Sequence, residues 1–307
     1  MKKNMKINLV VIVLLIGFLA KAQQKSNYTQ YMYNMSVVNP AYMINEPGLY
    51  QIGSLYRSQW IGVTGAPITA NIFAHIPINN QIEFSVNYVN DKIGSDINIA
   101  KNIFNIDAAY KIKLNQDTNL AFGLKIGVDN LTINASNSNI SGDPLFEDIN
   151  KNYFTAGAGV YLFKENYYAG LSVPNLLPSK IAANNNGSLY KAKQHYYLIA
   201  GYVFDVNSFK IKPSIVVKEV AGTPLSFDGS LNLLYNNRFE LGAAYRYNES
   251  VSGLIAIYLT PSLRLGYAYD YNTNALKDYN SGSHEFMLLY KFDLLSLGKK
   301  YSSPRFY

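Results

Sequence analysis

Gln81-Ile82-Glu83-Phe84-Ser85-Val86-Asn87-Tyr88 alternates polar and apolar residues without a break, and Leu120 to Asp129 repeats the pattern with Leu120, Phe122, Leu124, Ile126 and Val128 set against Ala121, Gly123, Lys125, Gly127 and Asp129. Successive strand side chains point to opposite faces, so each segment has one greasy face and one carrying charge, amide or glycine. From about Tyr50 onward such stretches recur about fourteen times, and the links between them alternate long and short. A soluble sandwich shows the same alternation, so periodicity alone does not name the solvent. Length does better. Soluble strands run about 5 to 6 residues, whereas a tilted membrane strand needs roughly 9 to 11. Phe104 to Leu114, Leu120 to Asp129, Phe154 to Phe163, Phe209 to Lys218, Phe239 to Tyr247, Leu263 to Tyr271 and His284 to Phe292 have the longer size. The reading is all-β: a transmembrane outer-membrane β-barrel of about fourteen antiparallel strands.

The first residues agree with export. Lys2, Lys3 and Lys6 precede an apolar run from Ile7 to Leu19, and Ala20-Lys21-Ala22 has the small-x-small form of a cleavage site. Residues 1–22 therefore read as a cleaved secretory signal peptide of a Gram-negative bacterium, with the mature chain starting near Gln23. The run falls short of the ~20 residues a spanning helix needs. No cysteine follows it, and none occurs in the chain, which excludes a lipoprotein signal, disulfides and thiol chemistry. The formal charge of +7 includes Lys2, Lys3, Lys6 and Lys21, and no acid precedes Gln23, so the cleaved chain carries about +3. That balance gives no support for a nucleic-acid partner. The 27 Tyr and 15 Phe suit the aromatic girdles of a barrel in lipid, and a mean hydropathy near zero fits hydrophobicity hidden in alternation.

Strands are expected near 50–59, 67–76, 81–90, 102–114, 119–129, 152–163, 166–173, 195–204, 209–218, 225–235, 238–247, 252–260, 263–272 and 283–292. The tight links Asn79-Asn80, Asn115 to Thr118, Lys164-Glu165, Asp205 to Ser208, Asn236-Asn237 and Thr260 to Ser262 are rich in turn formers, and most read as periplasmic turns. Leu131 to Lys151, Pro174 to Gln194 and Asn272 to Gly282 are the long links and should lie outside. The division is a signal peptide over 1–22, an N-terminal plug or cap over 23–47, the barrel over 48–293 and a periplasmic tail over 294–307.

Fourteen strands enclose a lumen that needs either water or a plug. The inward face carries both signs, with Glu83, Asp107, Asp129, Asp228, Glu240, Asp270 and Glu285 facing Arg57, Lys111, Lys125, Arg238, Arg246, Arg264 and Lys291. Mixed charge suits internal ion pairs better than an ion-selective bore. Gly123, Gly127, Gly157, Gly159, Gly242 and Gly266 also face inward, either leaving room for another piece of backbone or relieving crowding in a curved sheet. The segment Ser26 to Pro47 does not alternate. It holds Tyr28, Tyr31, Tyr33 and Tyr42 and the pair Asn39-Pro40, which stops a helix, and it reads as a plug, a periplasmic cap or a partner-binding arm. The plug and lumen candidates are Tyr31, Asn39, Pro40, Tyr42, Arg57, Glu83, Asp107 and Lys125.

Catalytic and metal motifs are missing from the pattern. His75, His195 and His284 fall on three separate strands, with no HxxxH, HExxH or CxxC spacing, so neither a metal nor a cofactor is expected. His284 and Glu285 point to opposite faces of one strand, and Gly157-Ala158-Gly159 has no following helix to make a phosphate loop. Barrel hydrolases assemble Ser, His and acid from several strands, which spacing does not exclude, but nothing here presents a nucleophile with its base. The expectation is a protein that is not an enzyme.

Gln30-Tyr31-Met32-Tyr33-Asn34 followed by Asn39-Pro40-Ala41-Tyr42 resembles the opening of the PorP/SprF family of type IX secretion outer-membrane proteins. Similar stretches follow in order: Tyr56 to Trp60, Asn90 to Gly94, Gly170 to Leu176, Lys212 to Ser214, Pro224 to Asp228, Ser283 to Glu285 and Ser303 to Phe306. The resemblance implies an outer-membrane partner of secreted cargo. Such a barrel would receive or anchor a surface protein with a type B C-terminal domain, a gliding-motility adhesin for example, alongside type IX translocon components and outer-membrane lipid. Outer loops and rim would supply the contact, with Trp60, Pro144, Leu145, Phe146, Leu176 and Leu177 as candidates. The bland reading is that these apolar residues pin their own loops. The competing function is a channel or hydrophobic-solute transporter of similar strand number.

Overall fold

The computed structural model describes residues 28–46, 48–134, 148–177, 180–184, 187–191, 193–220 and 223–293. Among the described residues seventeen strands form in chain order: β1 Leu49–Ser58, β2 Ile68–Pro77, β3 Ile82–Ile93, β4 Asn98–Lys113, β5 Asn119–Asn134, β6 Ile149–Phe163, β7 Tyr167–Val173, β8 Lys180–Asn184, β9 Gly187–Lys191, β10 His195–Tyr202, β11 Phe204–Val206, β12 Phe209–Val220, β13 Ser226–Tyr235, β14 Phe239–Arg246, β15 Ser250–Tyr258, β16 Leu263–Asn272 and β17 Ser283–Asp293. All wall pairings are antiparallel between sequence neighbours. The first strand closes on the last, from Leu49↔Asp293 to Ser58↔His284. β10 and β11 are one wall strand interrupted at Val203, whose N–H instead reaches the Asn166 carbonyl at 2.7 Å. Counting them as one gives a closed wall of 14 strands. β8 and β9 make a separate hairpin within the link expected as irregular from Pro174 to Gln194.

Burial is inverted relative to a soluble protein. In β3 the buried residues are Glu83, Ser85, Asn87 and Val89, while Phe84 and Tyr88 are exposed; in β5 Lys125 is 3% exposed and its neighbour Leu124 67%. Exposed apolar side chains continue round the wall through Ile52, Ile72, Ile106, Phe122, Leu171, Leu198, Leu231, Leu241, Ile255 and Phe286. An apolar band of that extent fits hydrocarbon, and the strands are how this chain crosses it.

All six tight links, after β2, β4, β6, β11, β13 and β15, lie at the end where β1 begins and β17 ends. That is the periplasmic end by the ordinary rule of short periplasmic turns. At Asn236 and Asn237, φ values of 50° and 51° give the left-handed pair that a two-residue hairpin needs, which asparagine tolerates. β4, β5 and β6 run 16, 16 and 15 residues, beyond the 102–114, 119–129 and 152–163 expected, because their ends away from the tight links keep pairing. Polar cross-strand contacts hold those extensions: Lys101 to Asp129 at 3.0 Å, and Asn130 to Asn150 and Asn152 at 2.7 and 2.8 Å. Arg238, expected on the inner face, sits exposed in the tight turn over the ring of Phe239. The strand begins at Phe239, so its inward face starts at Glu240 and Arg238 belongs to the turn. The tail 294–307 and the signal segment 1–22 lie outside the described residues.

Candidate functional site: a filled lumen and the outer rim

The segment Tyr28 to Glu46 is buried almost throughout and lies in the lumen, touching inward side chains of strands around the whole circle. Two short 3-10 turns, Tyr31–Tyr33 and Met35–Val37, shape it. It leaves many backbone N–H and C=O groups without a ladder, and the inner wall supplies partners for them. Near the loop end, Glu285 accepts from the Thr29 and Gln30 N–H groups at 2.9 and 2.8 Å. Near the turn end, Glu83 accepts from Ile44 and Asn45 at 2.9 and 3.4 Å. Two carboxylates thus hold the segment by successive amides. Between them Lys125 Nζ donates to the Ser36 carbonyl at 3.1 Å, Ser172 Oγ to the Val38 carbonyl at 2.7 Å, and Asn34 Nδ2 to Asn71 and Asn87 at 2.8 and 2.7 Å.

Charge inside the lumen is compensated locally. Arg57 pairs with Asp270 at 2.6 Å and Glu285 at 3.1 Å, Lys125 with Asp107 at 2.9 Å, Arg246 with Asp228 at 3.0 Å, and Arg264 with Glu240. The Arg264 guanidinium also lies 4.6 Å from the ring centroids of both Tyr33 and Tyr258. The Tyr33 hydroxyl donates to Glu240 at 3.0 Å. A lone buried ion costs several kcal/mol, and these pairs offset that cost.

The inward glycines divide between the two readings. A Cβ at Gly123 would run into the Pro40–Ala41 backbone, one at Gly159 into Asn39, and one at Gly266 into Gln30. At Gly127 and Gly242 it would meet the wall's own Asn105 and Asn232, and at Gly157 the Pro174 backbone. Asn39 donates to the Val160 carbonyl at 3.0 Å and accepts the Ala41 N–H at 2.9 Å, fixing the bend. Tyr42 packs edge-on against His75 and Tyr161, with ring centroids 5.6 and 5.7 Å apart.

The lumen brings together Tyr31, Asn39, Pro40, Tyr42, Arg57, Glu83, Asp107 and Lys125. The rim candidates are more scattered. Trp60 is half-buried at φ 47°, its N–H donating to Ser283 Oγ at 3.2 Å, in a link tied to the Asn272 to Gly282 loop by Ile61 N–H to the Gly282 carbonyl at 2.9 Å. Leu176 and Leu177 are 39% and 47% exposed where β7 ends, and the Leu176 N–H reaches the Ala156 carbonyl at 2.6 Å. Pro144, Leu145 and Phe146 lie outside the described residues. Asp270 and Glu285 emerge as the groups that hold Thr29 and Gln30. Alternation already placed both inward, but the height at which each meets the luminal segment comes from register. The histidines sit apart: His75 in the lumen beside Glu83, His195 against Asn175, and His284 against the Tyr267 hydroxyl.

A closed fourteen-stranded wall with an apolar exterior and a polar, occupied interior defines an outer-membrane β-barrel. Residues 20–290 match the family described as type IX secretion system membrane protein PorP/SprF, and the chain belongs to that family. No curated protein matches the chain. Among solved structures it is similar to a Pseudomonas aeruginosa FadL homologue, at 12% identity and a TM-score of 0.54 over 88% of this chain and 95% of that one. It is also similar to the CymD monoaromatic hydrocarbon channel (10%, TM-score 0.54, 87% and 93%). The Ralstonia pickettii toluene transporter TbuX gives 9% identity and a TM-score of 0.53, over 87% and 94%. At such identities the likeness is one of fold.

Proposed function

We propose that this barrel receives or anchors a secreted surface protein carrying a type B C-terminal domain, by contact at its outer rim, working with the type IX translocon. Family membership supports the secretion role. The observation that favours the rim over the bore is the luminal segment, clasped at both ends by Glu285 and Glu83, which takes the space a through-path needs. Contact with a partner then falls to the seven loop-end links, of which those over 135–148 and 174–194 are the longest. Trp60, Leu176 and Leu177, with Pro144, Leu145 and Phe146, are the apolar side chains offered there. No step in this role is a reaction, and none of it calls for a cofactor.

The transporter reading draws on shape alone, and the occupied lumen counts against a continuous bore, leaving a lateral opening as the path it would need. The experiment is deletion of the barrel gene, followed by assay of secreted proteins with a type B C-terminal domain in the cell-surface and medium fractions. The expected result is loss of one such protein from the surface, restored by the intact barrel. An unchanged surface complement would overturn the proposal.

A further inference from the structure

The direction of the luminal segment decides which side of the membrane its beginning faces. Thr29 and Gln30 meet Glu285 near the start of β17, and Thr29 Oγ1 donates to Asp270 near the end of β16, both at 2.7 Å to its two carboxylate oxygens. Arg57, next to last in β1, donates to Thr29 Oγ1 at 3.1 Å. All three wall residues stand at the loop end. Asn34 meets Asn71 and Asn87 in the middle of β2 and β3. Ile44 and Asn45 meet Glu83 at the start of β3, and Lys111 near the end of β4 donates to Asn45, which is the turn end. The chain therefore descends from the loop end to the turn end, and Gly48, at φ 87°, reverses it into β1, which climbs back.

We propose that the mature amino terminus is presented at the outer mouth of the barrel, on the cell-surface side, although the chain enters its first strand from the periplasmic end. With the cleavage expected before Gln23, Gln23 to Asn27 stand ahead of Tyr28, a stretch that spans at most ~17 Å when extended. The loop-end rim stands two or three strand residues above Thr29, ~7 to 10 Å at strand rise, so a stretch of that length is long enough to reach the mouth. The opposite mouth lies beyond the whole segment Tyr28 to Glu46, which occupies the lumen below. This inference stands on the fold and the direction of one segment, independent of what the rim binds. Its consequence is that an amino-terminal extension is displayed on the face that carries Trp60 and Leu176.

The chain has no cysteine, so single-thiol variants report one position each. Ser26→Cys is compared with Tyr279→Cys in a loop-end link and Asn236→Cys in a turn-end hairpin, using a membrane-impermeant maleimide on intact and permeabilised cells. Heat-modifiable migration verifies that each variant is folded, and Lys25→Cys replaces Ser26→Cys if that one fails to fold. Labelling of Ser26→Cys that tracks Tyr279→Cys supports the proposal. Labelling that tracks Asn236→Cys overturns it, as does labelling only after unfolding, which would leave the terminus inside the lumen.

Discussion

Glu285 and Glu83 show how a lumen without a regular ladder is kept satisfied: each carboxylate accepts two successive amides, and Glu285 is itself neutralised by Arg57. Glu285→Gln offers one acceptor and one donor where two acceptors are needed, and leaves Arg57 with Asp270 alone. Breaking a buried pair of this kind should cost about 3–5 kcal/mol, read as a lower urea midpoint of the heat-modifiable band. The two faces of β5 give a sharper contrast. Leu124→Arg places a cation in hydrocarbon and should cost about 2–4 kcal/mol near the midplane. Gly123→Val, one residue earlier, pushes a side chain into the Pro40–Ala41 backbone and should cost about 1–3 kcal/mol through overpacking. Gly253→Ala, where an added Cβ meets nothing within 4 Å, should stay within about 0.5 kcal/mol. Urea titration of the three together separates lipid face, lumen and neutral position.

At the scale of elements, the alternation of Ile82 to Tyr88 and of Leu120 to Asp129 made the wall legible, because each strand is half in lipid and half in a polar interior and the period of two is enforced on both sides. The tight asparagine turns were legible for a similar local reason. What local pattern does not carry is height. The outward extension of β4 to β6 rests on Lys101 with Asp129 and on the amide set of Asn130, contacts that exist only once the register is set. The path of Tyr28 to Glu46 was open among plug, cap and arm, since its hydrogen bonds to the wall join groups as far as 256 residues apart, Asn34 with Asn71 at a separation of 37 and Thr29 with Glu285 at 256. Asn39-Pro40 marked the bend, and Gly159 opposite it became meaningful only with that bend in place. The loop-end links carry the functional proposal at this scale. Deleting Asn139 to Glu147 should shift the secreted partner from the cell surface to the medium while leaving heat-modifiable migration intact, as a quantitative blot of both fractions would show. A partner retained at the intact level would remove that link from the contact.

The molecule as a whole turns a soluble protein inside out, with Leu124, Ile255 and Phe286 outside and Arg264, Lys212 and Glu285 within. The polar interior is compatible with an aqueous pore until the luminal segment is counted. With it, the wall is, on the proposed reading, a support for loops at one surface of the outer membrane. A support needs no conductance, whereas a solute channel does, and the same purified barrel distinguishes them. Single-channel recording in planar bilayers, comparing the intact protein with a variant lacking Tyr28 to Ile44, is the most direct measurement. The account predicts silence from the intact barrel and steady open conductance from the shortened one. An intact barrel that conducts as freely as the shortened variant would contradict it.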